Sequence, residues 1–329
     1  HPQVFSAVPR LLEKVYDKIV DKGKELTGVK KSLFFWALDL GLRYELEGKN
    51  GPWYGLQLSL ARKIIFSKWR EALGGNTRCI VSGGAALQPR LARVFWAAGI
   101  PVLEGYGLTE TSPIIAVNNF EPNGACFSTV GPVIKDVEVR IAEDGEILCK
   151  GPNVMMGYYK RPELTTETVI NGWLHTGDIG TIQDGFITIT DRKKELFKTS
   201  GGKYVAPQPI ENKLKESTFI EQAMVIGADK KFVSALIVPS FDNLRIWMED
   251  NSIPYTNNDM AIGNPDVVNM FNRVIGDCNI GFNHVEQVKQ FRLLSTAWTV
   301  DSGELTPKMS MKRKSIMEKF DSIIGDIYA

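Results

Sequence analysis

Cysteine is scarce in this chain. Cys79, Cys126, Cys149 and Cys278 are the only four in 329 residues, and their scatter matches neither metal-ligand spacing nor a disulfide scaffold, which fits a reducing cytosol. Histidine is scarcer still. His1, His175 and His284 have no Cys or His clustered near them, so neither a zinc site nor a histidine-based triad is expected and His175 reads as structural. Neither sign of charge is in excess. The 39 Lys and Arg against 38 Asp and Glu leave a formal +1, which gives no field for nucleic acid or an acidic partner. No apolar run approaches the roughly 18 to 20 residues that span a bilayer, and the N-terminus lacks the shape of a signal peptide. A Walker loop is missing as well. The stretch KTSGGKYVAPQPIE, Lys198 to Glu211, has no glycine five residues before Gly202 and puts Tyr204 where Ser or Thr would bind the metal, which disfavours a P-loop NTPase.

What is present suits a globular protein of about two domains, given the length and a 43% hydrophobic content. Residues Pro9 to Asp21 read as an amphipathic helix, and two more follow at Lys31 to Leu42 and Leu56 to Leu73, separated by a loop at Gly48 to Gly55. In the third, Leu60, Ile64, Trp69 and Leu73 fall near one stripe, with Arg62, Lys63, Lys68 and Arg70 exposed. That basic face is read first as solvated; contact with an anionic membrane surface is the alternative. A strand at Arg78 to Val81, a helix at Arg90 to Ala98 and a strand at Ile100 to Leu103 make a βαβ unit, so Gly84 and Glu104 should share one carboxyl edge of a parallel sheet. From Thr129 the pattern turns to period two, with hairpins at Asp144-Gly145 and Asp184-Gly185 marking a small β-rich part. Beyond it come a helix at Ile210 to Glu216, strands at Ala223 to Ile226 and Val233 to Val238, a polar loop at Thr256 to Asn264, and a closing helix with Ile316, Phe320, Ile323 and Ile327 inward. The fold class expected is α/β plus α+β.

The stretch from Glu104 to Ser112, EGYGLTETS, carries the chemistry. Gly105 and Gly107 are expected to let the chain turn sharply and approach a ligand, and Thr109, Glu110 and Thr111 follow with a hydroxyl, a carboxylate and a hydroxyl. Such a turn at the end of a parallel strand suits a nucleotide phosphate and its Mg²⁺, which prefers oxygen ligands. As a dinucleotide fingerprint it fails, because Glu110 stands where the third glycine belongs.

These residues resemble the Tyr-Gly-x-Thr-Glu motif of the acyl-adenylate-forming enzymes. Further motifs in family order strengthen the resemblance: SGGAAL from Ser82, GWLHTGDIG from Gly172, DRKK from Asp191, KTSGGK from Lys198 and ELTPKMSMKRK from Glu304. The segment from Val4 to Tyr16 and the third helix resemble long-chain acyl-CoA synthetases, and the whole chain is most similar to bacterial long-chain fatty acid CoA ligases. The resemblance implies that ATP and Mg²⁺ activate a long-chain fatty acid to acyl-AMP, which is passed to CoA. An acceptor other than CoA, or a non-catalytic nucleotide-binding module, are the alternatives.

By the same resemblance Gly84, Ala85 and Ala86 line the adenine, with Glu104 accepting from its exocyclic amine. Gly105, Tyr106, Gly107 and Thr109 contact the nucleotide, and Thr109 and Glu110 are catalytic, Glu110 also holding the metal. Asp178 and Arg192 take the ribose, and Ser200 and Gly201 line the CoA path. The catalytic lysine is expected at Lys312, with Lys308 as fallback, because Ser310 stands where a family lysine is often found. The resemblance also implies residues 1–190 as part of the large domain, 191–194 as a hinge, and 195–329 as a small mobile α+β domain. The family's Thr/Ser-rich phosphate loop ending in Gly-x-Pro-Lys has no counterpart in the chain, so a C-terminal part of a longer cytoplasmic enzyme is expected. These 329 residues by themselves should then show no fatty-acid-dependent exchange of pyrophosphate into ATP; robust exchange would contradict that expectation.

Overall fold

The computed structural model describes residues 2–307 and 309–329. The chain divides into two compact units, one ending at Ile189 and the other beginning at Thr190.

The first unit opens with strand β1 (Val4–Ala7) and helices α1 (Pro9–Glu25), α2 (Gly28–Leu42), α3 (Pro52–Ala61) and α4 (Ser67–Ala72). Strand β2 (Cys79–Ser82), helix α5 (Pro89–Ala97), β3 (Val102–Gly107) and β4 (Ile114–Val117) follow. Proline opens α1, α3 and α5, at the helix position where its missing N–H costs nothing. The sheet runs β1-β2-β3-β4. Its first three strands are parallel and β4 is antiparallel. Apolar side chains of the helices, among them Leu12, Leu40, Phe66 and Phe95, pack with Ile80 and Val102 into one core.

Two expectations need correcting here. The third helix is broken by a π-helical turn at Arg62–Phe66, which shifts the side-chain register. Leu58, Ala61, Phe66 and Trp69 therefore point inward, while Leu60 and Ile64, assigned to the inner stripe, are exposed. The strand expected at Ile100 to Leu103 instead runs on through both glycines to Gly107.

The second sheet holds β5 (Glu138–Ile141), β6 (Glu146–Lys150), β7 (Val169–Ile170), β8 (Trp173–Gln183) and β9 (Phe186–Arg192), with helix α6 (Pro162–Thr168) between β6 and β7. Its order is β5-β6-β8-β7, and β9 pairs with β8. Asp184 and Gly185, with φ of 50° and 83°, make the tight β8–β9 turn, where both central residues need positive φ. Ile147, Cys149, Leu174 and Ile187 share a core with Tyr106 and Ile115, so the β-rich part packs on the end of the first sheet.

In the second unit a small hairpin, β10 (Phe197–Lys198) and β11 (Tyr204–Val205), precedes α7 (Pro207–Leu214), β12 (Ile220–Ile226) and β13 (Val233–Pro239). Helices α8 (Phe241–Asp250), α9 (Asn258–Gly263) and α10 (Pro265–Asn279) lead to β14 (Val288–Leu293), and α11 (Arg313–Lys319) and α12 (Asp321–Tyr328) close the chain. Strand β13 is the middle of a three-stranded sheet. Every residue of it is buried because both faces are covered: Ala235 and Ile237 meet Phe271 and Leu244, and Leu236 and Val238 meet Trp298, Ile316 and Ile327. The polar stretch Thr256 to Asn264, read as a loop, contains α9. Asn257 caps it by accepting from the Met260 N–H at 2.9 Å, and Ala261 anchors it inward. The closing helix is two helices, split at Phe320.

Among the described residues no helix is long and apolar enough to cross a membrane. Phe271 is fully buried while Met260 is exposed, so Phe271→Ala should cost about 3–5 kcal/mol by loss of contacts and a residual cavity. Met260→Ala should stay within about 0.5 kcal/mol. Denaturant unfolding of the two variants checks the contrast.

Candidate functional site

The register Ile80↔Val102, Val81↔Leu103, Ser82↔Glu104 ends β2 beside the middle of β3. The loop that leaves β2 therefore lies against the glycines of β3, and a Cβ on Gly83 would stand 3.2 Å from the Gly105 carbonyl. Gly84 turns the chain with φ +81°, and Ala85 and Ala86 are exposed beside it. The far end of the loop is fixed from α1: Gln88 Nε2 donates to buried Glu13 at 3.0 Å, and its Oε1 accepts from Arg90 Nε at 2.7 Å.

Glu104 is 8% exposed. Burial pushes its carboxyl up to about 8, against the opposing effect of a backbone hydrogen bond from Leu87. Its neighbour Ser82 is also buried, and its Oγ has no hydrogen-bond partner among the described residues.

The glycines do not make the turn. Neither Gly105 nor Gly107 has positive φ; at Gly107 a side chain would collide, its Cβ falling 1.6 Å from the Pro113 carbonyl, whereas a Cβ on Gly105 would make only ordinary contact, 3.5 Å from Val117. The reversal comes at the 3₁₀ turn Thr109–Thr111 and at Ser112, with φ 54°. Buried Thr111 stitches it, accepting from the Leu108 N–H at 2.9 Å and donating to the Pro113 carbonyl at 2.8 Å. Of the two threonines only Thr109 is exposed.

Glu110 is half-buried and held from the β-rich part. Its carbonyl accepts from the Met155 N–H at 2.8 Å and its Oε1 from the Tyr158 hydroxyl at 2.9 Å. Burial first, then the bond to Glu110, raises the Tyr158 hydroxyl above its usual pKa. Tyr158 is in turn set by its N–H, which donates to Thr165 Oγ1 at 2.9 Å. Sequence reasoning missed Tyr158 because nothing local relates residues 48 apart.

GWLHTGDIG lies along β8, which fixes each side chain. Asp178, 3% exposed, accepts from the Tyr106 hydroxyl at 2.7 Å, joining two stretches 72 residues apart. Thr176 donates to the Ile147 carbonyl at 2.7 Å and accepts from the Asp178 N–H at 3.1 Å. His175 pairs through Nδ1 with buried Glu146 at 3.1 Å, whose other oxygen accepts from the Gly177 N–H at 2.9 Å.

The remaining expected residues belong to the second unit. Arg192 is exposed and its N–H donates to fully buried Asp191 at 2.7 Å. Ser200 and Gly201 are exposed at the tip of the β10–β11 hairpin, tied down by the Ser200 N–H to the Lys230 carbonyl at 3.0 Å. Lys312 is exposed directly before α11, its N–H donating to the Glu304 carbonyl at 2.7 Å. Lys308 lies outside the described residues.

The sequence matches the AMP-binding enzyme family over residues 1–159 and the AMP-binding enzyme C-terminal domain over residues 195–329. The chain belongs to the AMP-binding enzyme family. It is 38% identical to the long-chain-fatty-acid-CoA ligase FadD15 of Mycobacterium tuberculosis, over 99% of this chain and 55% of that protein. It is 34% identical to the human long-chain-fatty-acid-CoA ligase 1, over 100% of this chain and 48% of that protein. The chain thus spans about half the length of these curated relatives. The fold matches the A domain of a carboxylic acid reductase from Segniliparus rugosus, solved with AMP and a co-purified carboxylic acid, with a TM-score of 0.70 at 19% identity over 99% of this chain and 47% of that one.

In this member of the AMP-binding family the first unit gathers exposed small residues at Gly84 to Ala86, a buried acid at Glu104, an exposed hydroxyl at Thr109 and an acid at Glu110 around one sheet edge. Such an edge offers backbone and oxygen donors to a ligand. Because the folded pKa of Glu104 lies above its unfolded value of 4.5, its stabilising contribution is full below about pH 4.5 and lost as pH rises through about 8. Glu104→Gln should therefore match the wild type in unfolding free energy near pH 4 and exceed it near pH 9. Parallel pH profiles for the two proteins would contradict the assignment.

Proposed function

We propose that this member of the AMP-binding family activates long-chain fatty acids, converting ATP and the carboxylate to acyl-AMP and pyrophosphate and then passing the acyl group to the CoA thiol. The observation that carries this reading is the meeting of Tyr106 with Asp178 beside the Gly83–Gly105 approach, which joins a base-sized glycine and alanine loop to a carboxylate suited to vicinal hydroxyls. In this reading Gly84, Ala85 and Ala86 receive the adenine and Glu104 accepts from its amine. Asp178 and Arg192 take the ribose, a carboxylate having acceptor capacity beyond its bond to Tyr106. The backbone at Gly105 to Gly107 and the Thr109 hydroxyl face the phosphate.

Mg²⁺ fits Glu110, a carboxylate with one oxygen steadied by Tyr158 and an exposed hydroxyl next to it. When bound, the ion neutralises phosphate charge. Lys312 supplies positive charge to the adenylating step, and Ser200 and Gly201 border the CoA path. A Cβ on Gly201 would meet only the Thr199 hydroxyl within 4 Å, at 3.9 Å, so a larger side chain there projects into open space. One of residues Arg192 to Lys194 is the hinge between a large-domain part, residues 1–190, and the small domain, 195–329, since hinges are few residues that absorb large φ/ψ changes. The exposed row Trp53, Leu56, Leu60 and Ile64, edged by Arg62 and Lys63, supports contact with an anionic membrane surface where such acids dissolve.

The test is fatty-acid-dependent exchange of pyrophosphate into ATP by the full-length protein across acyl chain lengths, with the CoA step measured separately from supplied acyl-AMP. Lys312→Ala should slow acyl-AMP formation by about 10²- to 10³-fold and leave thioester formation nearly intact, while a bulky residue at Gly201 should do the reverse. Glu110→Gln should abolish exchange in a folded protein. No exchange with any fatty acid would overturn the reading.

A further inference from the structure

Arg313 is the first residue of α11, immediately after Lys312. Its guanidinium reaches two elements and the turn at Glu195. Nη2 donates to Glu211 of α7 at 2.7 Å, Nε to Glu195 at 3.1 Å and Nη1 to the Val225 carbonyl of β12 at 3.4 Å. Glu211 is 3% exposed, and its second oxygen accepts from the Val225 N–H at 2.7 Å. Burial pushes the Glu211 carboxyl up to about 7 even with Arg313 beside it. A buried acid of this kind is costly unless paired, and losing its partner is strongly destabilising.

The position of Glu195 gives the network its meaning. It directly follows the exposed basic residues Arg192, Lys193 and Lys194, and its N–H donates to the Arg192 carbonyl at 2.9 Å. Asp191, before them, is fully buried and accepts from the Gln208 N–H at the start of α7 at 2.9 Å. The linker is therefore pinned at both ends, by Asp191 to α7 and by Glu195 to Arg313. The Lys312 backbone is pinned on both sides as well, to Glu304 through its own N–H and to α7 through Arg313. A single guanidinium is common to both arrangements, and its rigid planar fork holds both carboxylates in fixed directions, which a flexible ammonium point charge would not.

We propose that Arg313 is a positioning residue that locks Lys312, α7 and Glu195, the first residue past the hinge positions, into one frame by bridging Glu211 and Glu195. Lys312 then moves with α7 and Glu195 as one body instead of on a loose loop, and the hinge positions before Glu195 stay free to turn. The coupling to catalysis rests on the role of Lys312 given under the proposed function.

The experiment compares, in the full-length protein, Arg313→Lys, Arg313→Met and the pair Arg313→Met with Glu211→Gln. Arg313→Met should lose stability because it strands Glu211; adding Glu211→Gln should restore the melting temperature. In the restored double variant, amide exchange at Lys312 and Glu195 should still be at least about tenfold faster than in the wild type, as expected when a local opening loses its clamp. Exchange in α10 should not change. Acyl-AMP formation should fall at least about tenfold, a barrier change of about 1.4 kcal/mol, in kcat with KM for ATP unaltered. Thioester formation from supplied acyl-AMP should persist, and Arg313→Lys should fall between the two. Wild-type exchange at Lys312 and Glu195 in the double variant would overturn the proposal, as would wild-type adenylation. If the wild type forms no acyl-AMP, the functional reading falls and the exchange result alone decides the coupling.

Discussion

The parallel pairing of β2 with β3 is the constraint from which the candidate site follows. Because Ser82 lies opposite Glu104, the loop after β2 must leave the sheet beside Gly105, where a Cβ on Gly83 would come within 3.2 Å of the Gly105 carbonyl. The same strand then carries Tyr106 to Asp178, and the 3₁₀ turn that follows it carries Glu110 to Tyr158. A register slip by one residue would turn every side chain of β3 to the other face and dissolve these pairs together.

Buried acids recur throughout, and each is held differently. Asp178, Glu146 and Asp191 accept from hydroxyl or backbone donors, while Glu304 is paired with Lys319 and Ser302. Those hydrogen bonds outweigh burial and hold the Glu304 carboxyl down to about 2. Glu104 and Glu211 are the reverse, with burial outweighing their partners. Desolvation and hydrogen bonding compete at every such group, and the balance between depth of burial and the donors decides the direction. Glu104 faces one backbone N–H, which is too little to keep a desolvated carboxylate ionised, so a donor-bearing ligand at that edge would find an acceptor already positioned.

The two sheets of the first unit divide the labour. The parallel one supplies loops and the glycine-bearing strand; the antiparallel one supplies rigid side chains that reach across to them. Tyr158 and Asp178 both come from the β-rich part, and both act on the segment Tyr106 to Glu110. Strand β8 fixes Asp178, and the loop that carries Tyr158 is tied to α6 through Thr165, which places both groups more sharply than free loops would.

Local chemistry in the sequence was enough to determine a good deal. The period-two pattern with Asp184-Gly185 specified a hairpin, Pro89 opened α5, and the alternation of strand, helix and strand specified a parallel edge with Gly84 and Glu104 on it, because these features depend on neighbours a few residues apart. Tertiary structure decided the rest. Whether Gly107 bends the chain or merely clears space depends on Pro113, whose carbonyl folding brings against it. The inward face of the third helix depends on a π-turn that shifts its register, and α9 depends on Ala261 finding a core. The partners of Glu110, Asp178 and Arg313 come from residues 48, 72 and up to 118 positions away, and no periodicity in a chain records which distant hydroxyl or carboxylate folding will bring within hydrogen-bonding reach.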